Sequence, residues 1–292
     1  MPLLSSGLVI ETERYGRLLL IADTHVGYEV ELLMKGVRVP RQTRRMIDHY
    51  ADLVDKERAE SLAIVGDIKH EIAAAVETYR DVELFVSELA ERVERLLLLQ
   101  GNHDGSLDKI VEKLSLRNVE FYDSRGTLIR TRDGKNVLLI HGNAKPRIEH
   151  LIKADYIVMG HTHPAVTIRD VVGYTVREAV IVRAELSRCE VLSSMFRKEE
   201  ELKKLGLEAE NLSDTMVLVI LPCANMLITG TDVTRTLLQR SGKTILTYFR
   251  LWEKIDKIEI YLPDLTYLGT LKELLELEKI VETREKVDWD FL

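Results

Sequence analysis

The stretch Leu96-Leu97-Leu98-Leu99-Gln100-Gly101-Asn102-His103-Asp104 is a run of four leucines that ends in Gln-Gly-Asn. Such a run predicts a buried strand opening into a loop at a sheet edge. On that loop stand an amide oxygen, an imidazole and a carboxylate, three groups that packing alone rarely crowds together. Four other apolar runs end the same way: Leu18–Ile21 before Asp23-Thr24-His25, Leu62–Val65 before Gly66-Asp67, Val137–Ile140 before His141-Gly142, and Tyr156–Met159 before Gly160-His161-Thr162-His163. Five strands thus deliver side chains able to ligate a metal just past their last apolar residue.

Between these runs the chain alternates strand, loop and helix up to about residue 115. A first hairpin is expected over Leu8–Thr12 and Arg17–Ala22, and helices over Arg41–Leu53, Val76–Leu89 and Leu107–Leu114. That alternation implies an α/β layer arrangement with parallel strands. From Val119 short strands follow one another, at Thr127–Thr131, Val137–Ile140, Tyr156–Met159, Ala165–Arg169 and Ala179–Ala184. A second sheet packed on the first is the economical reading. The expected fold is therefore a four-layer α/β/β/α sandwich of two mixed β-sheets flanked by helices.

Further on, a charged helix is expected over Phe196–Leu205, a strand over Met216–Leu221, a hairpin of Thr244–Leu251 with Lys257–Leu262, and an amphipathic helix over Leu271–Val281. The expected division is a core of residues 1–195 and a C-terminal extension, 196–292, that completes the second sheet and adds helices; a single domain is the other reading.

With 292 residues, 46% hydrophobic and 30% charged, the chain is long enough to bury a full core and polar enough to be globular and soluble. No apolar run approaches the length of a membrane span, and Met1-Pro2-Leu3-Leu4-Ser5-Ser6 carries no secretory pattern. A cytoplasmic protein without a membrane partner is the expectation. Cys189 and Cys223 are too few for a disulfide framework or a thiolate metal site. A net charge of −7 argues against binding nucleic acid with the whole surface, but not against a local basic groove. Abundant Glu, Lys and Arg with scarce Gln lean towards a thermophilic source.

The strand ends offer seven ligands: Asp23, His25, Asp67, Asn102, His141, His161 and His163. Mixed carboxylate, imidazole and amide ligation suits divalent ions such as Mn²⁺, Fe²⁺, Zn²⁺ or Co²⁺. Seven exceed what one ion takes from protein while leaving room for substrate. They suit two ions sharing one carboxylate, about 3.5–4 Å apart, which can activate water and clamp phosphate oxygens during in-line displacement.

The ordered series Asp-x-His, Gly-Asp, Gly-Asn-His-Asp, His-Gly and Gly-His-x-His, spread over residues 18 to 164, resembles the calcineurin-like metallophosphoesterase superfamily. The resemblance implies that Asp23, His25 and His163 hold one metal, Asp67 bridges, and Asn102, His141 and His161 hold the second. It gives His103 the role of facing the phosphate and Asp104 that of hydrogen-bonding to the His103 imidazole and setting its tautomer. The cofactors would be two divalent ions, Mn²⁺ first, with Fe²⁺, Zn²⁺, Co²⁺ or Ni²⁺ as substitutes. The implied reaction is hydrolysis of a phosphodiester by in-line attack of a metal-bridging hydroxide.

Gly66-Asp67-Ile68-Lys69-His70-Glu71, Gly160-His161-Thr162-His163-Pro164 and Pro222-Cys223-Ala224-Asn225 resemble the ICC-like branch, with its archaeal homologues and ligase-associated DNA-repair phosphoesterases. That narrower likeness implies a nucleic-acid substrate in DNA repair and a helicase or ligase partner, with monomer and homodimer both open. The Cys223-Ala224 pair departs from the bacterial form of this branch.

Single histidines such as His49 and His150 are most simply packing or surface residues. His70, three residues after Asp67, is placed near enough to join the site or the substrate. Arg38, Arg41, Arg44 and Arg45 are either a solvated helix face or the rim of a phosphate-binding groove. Two rivals stand beside the nuclease reading: an enzyme acting on a small nucleotide or phosphoprotein, and a repair-complex scaffold with weak catalysis.

Overall fold

The computed structural model describes residues 7–70, 76–169, 174–196, 215–238 and 245–278. Strands β1 (Leu8–Thr12) and β2 (Gly16–Ile21) form an antiparallel hairpin. Its turn is held by Tyr15, whose N–H donates to Thr12 Oγ1 at 3.0 Å. Three parallel strands follow, β3 (Ser61–Val65), β4 (Arg95–Leu99) and β5 (Val119–Tyr122), in the order β1-β2-β3-β4-β5. The connections carry helices α1 (Tyr28–Met34), α2 (Thr43–Glu57), α3 (Val76–Ala90) and α4 (Leu107–Leu114).

The second sheet contains β6 (Thr127–Arg130), β7 (Asn136–Ile140), β8 (Tyr156–Met159), β11 (Ile181–Ser187), β12 (Thr215–Ile220), β14 (Ile258–Tyr261) and β15 (Tyr267–Thr270). Their order is β15-β14-β11-β12-β8-β7-β6, with β7, β8 and β12 mutually parallel. A small third sheet orders β10 (Thr175–Ala179), β9 (Pro164–Arg169) and β13 (Thr231–Asp232).

Side-chain alternation explains why the strands read as unbroken apolar runs. Leu18 and Leu20, Ala63 and Val65, Leu97 and Leu99 face Ile129, Val137, Leu139, Val158 and Leu221 in a core between the sheets. Their neighbours Leu19, Ile21, Leu62, Ile64, Leu96 and Leu98 pack instead on Ile47, Leu53, Val82, Phe85 and Ile110 of the helical layer. The outer face of the second sheet, with Leu138, Ile140, Ile157, Leu218 and Ile220, buries against α5 (Ile148–Lys153) and α6 (Arg188–Met195). Three cores separate four layers, so the chain is the α/β/β/α sandwich its pattern predicted. Each leucine fully buried in these cores contributes about 1.5–3 kcal/mol.

Several elements differ from the sequence expectation. β5, β10, β13 and β15 appear where no strand was foreseen. Thr244–Leu251 is not a strand in its described part: after the short helix α7 (Val233–Thr236), Leu246–Phe249 forms helix α8 and Leu251–Glu253 a 3₁₀ turn. The reason is spacing, because Ile245, Leu246, Phe249 and Leu251 all reach the same core only as a helical face. β14 pairs instead with β15, and Leu262 N–H closes the turn on the Thr266 carbonyl at 2.8 Å. Residues 197–214, which held the expected charged helix, and 279–281 lie outside the described residues. β12 inserts between β8 and β11, so strands from both sides of residue 196 share one sheet.

Candidate metal centre

Parallel pairing puts the C-terminal ends of β2, β3 and β4 side by side, and those of β7, β8 and β12 likewise. The loops leaving these ends carry every strand-end block of the sequence. Asp23, His25, Asp67, His161 and His163 all have positive φ, between 42° and 73°. Left-handed backbone at non-glycine residues is strain that surrounding structure must hold, and it gathers at functional sites. Here it turns each side chain sharply back towards the shared edge.

Two glycines permit this crowding. A Cβ on Gly101 would lie 2.1 Å from Asp67 Oδ1, and one on Gly66, at φ +82°, 2.3 Å from His141 Nδ1. No larger residue leaves those carboxylate and imidazole positions intact.

The floor of the cluster is buried, comprising Asp23, His25, Asp67 and His141. Asp23 Oδ2 accepts from the His161 N–H at 2.9 Å, while its Oδ1 is buried with no hydrogen-bond partner, 3.4 Å from His163 Nε2. His25 Nε2 faces His163 Nε2 at 3.2 Å. On the other side, His141 Nε2 lies 3.1 Å from Asn102 Oδ1, 3.1 Å from His161 Nδ1 and 3.2 Å from Asp67 Oδ2. Asp67 Oδ2 is also 3.8 Å from His25 Nε2, so it faces both halves, and its Oδ1 accepts from the His103 N–H at 2.9 Å. His141 Nδ1 points at the Val65 carbonyl, 3.2 Å away. The rim is more open: Asn102 is exposed, and His103, His161 and His163 are half-buried.

Among the described residues, two disjoint sets able to hold an ion, Asp23/His25/His163 and Asp67/His141/His161, stand beside a third, His25/His70/His103, that shares His25. The donor chemistry fits divalent cations. An orphaned buried carboxylate oxygen and imidazole nitrogens facing one another cost free energy until a cation sits among them. Electrostatics point the same way. Burial, with His163 and His70 nearby, pushes His25 down to about 3. Burial and His141 take His161 down to about 4. Both rings are therefore neutral, with a lone pair free. Burial also opposes charge on His141, yet Asp67 and Asp23 outweigh it and carry the ring up to about 9. The Asp67 carboxyl, despite its burial, is held well below the usual carboxylate range by His141 and His25.

Other expected site residues fall differently. Asp104 does not orient the His103 ring. Its buried carboxylate accepts from the N–H groups of Gly101 at 2.8 Å, Lys69 at 3.0 Å and Ile68 at 3.2 Å, stapling the β4 loop to the β3 loop. Burial and the Asp67 charge push its pKa up to about 6. The His103 Nδ1 instead donates to the His70 carbonyl, which sets the tautomer. His70 is buried, with its ring edge-on to His25 and stacked on His103.

Of the basic segment, Arg41 pairs with Asp81 at 2.9 Å and Arg44 with Glu88 at 2.8 Å. Both are engaged by carboxylates of α3 rather than presented to the cluster. Arg38 and Arg45 are exposed.

The segment after β12 supplies residues whose role sequence reasoning missed. Asn225 Nδ2 donates to the carbonyls of Thr24 at 2.9 Å and His25 at 3.1 Å, and Cys223 Sγ–H to that of Asp23 at 3.0 Å. Tyr50 on α2 donates in turn to the Ala224 carbonyl. The available signal was a sixth apolar run, Met216–Leu221, ending like the other five.

Among known proteins, a family model described as the calcineurin-like phosphoesterase superfamily domain matches residues 17–181. Among solved structures, the nuclease MPE of Pseudomonas putida aligns at 18% identity and a TM-score of 0.49, over 90% of this chain and 100% of that one. A structure titled as a novel archaeal phosphodiesterase aligns at 17% identity and a TM-score of 0.32, over 53% of this chain and 78% of that one. A search among proteins of curated function finds no match. With the family model spanning more than half of the chain, from β2 through the last histidine of the cluster, this protein belongs to the calcineurin-like phosphoesterase superfamily and is a hydrolytic phosphoesterase.

Proposed function

We propose that the chain is a binuclear phosphodiesterase acting on nucleic acid, with Mn²⁺ as the preferred ion. The observation that carries the binuclear reading is Asp67, whose Oδ2 faces His141 at 3.2 Å and His25 at 3.8 Å, ligand candidates from two disjoint sets. Asp23, His25 and His163 would hold one ion, Asn102, His141 and His161 the other, and Asp67 both. Such ions supply Lewis acidity to phosphate oxygens and an activated water.

The chain's own groups do the rest. The buried floor fixes the ligands, while the open rim at Asn102 and His103 leaves access for a phosphodiester. In the reaction a P–O bond forms to water and the ester P–O bond breaks. His103, with its Nδ1–H held by the His70 carbonyl, keeps Nε2 for the substrate, where its protonated form gives a proton to the departing alkoxide oxygen.

Nucleic acid as substrate rests on the resemblance of the Gly66–Glu71 and Pro222–Asn225 blocks to the ICC-like branch, and with it a DNA-repair setting and a helicase or ligase partner. One observation favours a small phosphodiester instead: Arg41 and Arg44 are already paired with Asp81 and Glu88. The test is Mn²⁺-supported hydrolysis of bis-p-nitrophenyl phosphate, p-nitrophenyl phosphate and labelled single- and double-stranded DNA and RNA, with Asp67→Ala as the blank. Nucleic-acid cleavage that vanishes in the blank supports the proposal. Turnover of the small esters alone replaces it with the small-molecule reading.

A further inference from the structure

We propose that Glu31 and His70 form a relay that fixes the ring tautomer of His25 and aims its Nε2 lone pair into the metal site. The proposal rests on the reading of Asp23, His25 and His163 as metal ligands. Glu31 lies on α1, one turn after Tyr28, and its Oε2 is hydrogen-bonded to His70 Nε2. An ionised carboxylate only accepts, so the neutral His70 ring carries its proton on Nε2 and leaves Nδ1 as a bare acceptor. That Nδ1 lies 3.3 Å from His25 Nδ1. Two bare nitrogens would repel there, so His25 carries its proton on Nδ1 and donates it. Its Nε2 is then bare, 3.2 Å from His163 Nε2 and 3.8 Å from Asp67 Oδ2.

Packing holds the relay in place. The Tyr28 ring stands edge-on to His70 with centroids 4.8 Å apart, and Lys35 pairs with Glu31 from one turn further along. The relay runs from a partly exposed carboxylate on α1 to the buried floor of the site. Glu31 and His70 are positioning residues, acting through His25. An acceptor for the second ring N–H of a ligand histidine, here His70 Nδ1, fixes its tautomer and raises its basicity, and loss of such a partner typically costs about 10–100-fold in metal affinity. His25, His70 and His103 also bring ligand atoms within 4.8 Å of one another, which a third ion would satisfy. An ion there would have to displace the contact between His25 Nδ1 and His70 Nδ1 at 3.3 Å, so the hydrogen-bonded relay is the reading the geometry favours.

The test uses long-range ¹H–¹⁵N correlation spectra of histidine-labelled, metal-free full-length protein, with calorimetric Mn²⁺ titration beside them. Wild type should show His25 as a single tautomer protonated on Nδ1. Glu31→Ala and His70→Ala should mix the tautomers and weaken Mn²⁺ binding at one of two sites by about 10–100-fold. Glu31→Gln keeps an acceptor oxygen for His70, and His70→Asn places an oxygen near the lost Nδ1, so both should restore the wild-type tautomer. An unchanged His25 tautomer in both alanine variants overturns the relay. So does a third Mn²⁺ per chain that His70→Ala removes. A chain that binds two Mn²⁺ with His25 tautomers already mixed sinks the relay alone; a wild type with the ordered tautomer that binds no Mn²⁺ sinks the metal reading beneath it, and the relay's purpose with it.

Discussion

Asp104 illustrates how one carboxylate can hold a site without touching the chemistry. Its two oxygens take three backbone N–H groups from Gly101, Ile68 and Lys69, all in a buried setting. An asparagine there presents an NH₂ to at least one of those donors, whichever way it is flipped. Each buried donor left unsatisfied costs about 1–3 kcal/mol. Asp104→Asn should therefore lower unfolding free energy by about 2–4 kcal/mol in urea titrations of the metal-free protein. The same variant should leave the Nδ1–H of His103 on the His70 carbonyl. If stability were unchanged and only turnover fell, Asp104 would be acting through the His103 imidazole after all.

At the scale of elements, the site is assembled by a strand-end rule that the chain writes locally, and this is why most of it was legible. Asp23, His25, Asp67, Asn102, His141, His161 and His163 each sit within five residues of an apolar run, so strand and candidate ligand could be read together. Glu31 carries no such local mark, and its partner His70 lies 39 residues away; Asn225 does follow the apolar run Met216–Leu221, but its partner Thr24 lies 201 residues away, so its role was not local. Two of the missed strands have a matching cause. β10 is exposed over Thr175–Arg177 and β5 is half-buried throughout, so neither shows the apolar run of a doubly covered strand. α8 was misread because Ile, Thr, Tyr and Phe favour strands, a preference that packing overrode.

Asn225 yields the prediction proper to this scale. By holding the Thr24 and His25 carbonyls it moors the β2 loop to the end of β12. Asn225→Ala should weaken Mn²⁺ at the site containing His25 by about 10-fold or more while sparing the other, as read by two-site calorimetric titration; equal loss at both sites would mean general loosening. The paired arginines predict the opposite. Arg41→Ala with Arg44→Ala removes two exposed ion pairs, each worth about 0.2–1 kcal/mol, and should leave cleavage of long nucleic acids within about two-fold of wild type. A selective loss on long polyanions, with p-nitrophenyl esters spared, would return these arginines to the groove.

For the molecule as a whole, the cluster lies where two sheets meet. Asp23, His25, Asp67 and Asn102 leave the first sheet, and His141, His161 and His163 the second. The core between the sheets holds them by non-directional apolar contact, whereas ligands drawn from both sheets would join them through specific bonds at one edge. Binding that is confined to the folded state adds stability by mass action, about 2.7 kcal/mol at a ligand concentration one hundred times Kd. For a chain of this size such a gain raises Tm by roughly 4–5 °C. Thermal unfolding of chelator-treated protein should therefore shift upward steadily as Mn²⁺ is added, and Asp67→Ala, which removes the carboxylate facing both sets, should lose most of the shift. Because the residues that would hold each ion come from both sheets, far-ultraviolet and near-ultraviolet signals should move together along the titration. A shift seen in one signal alone would mean that the ions order the loops without joining the layers.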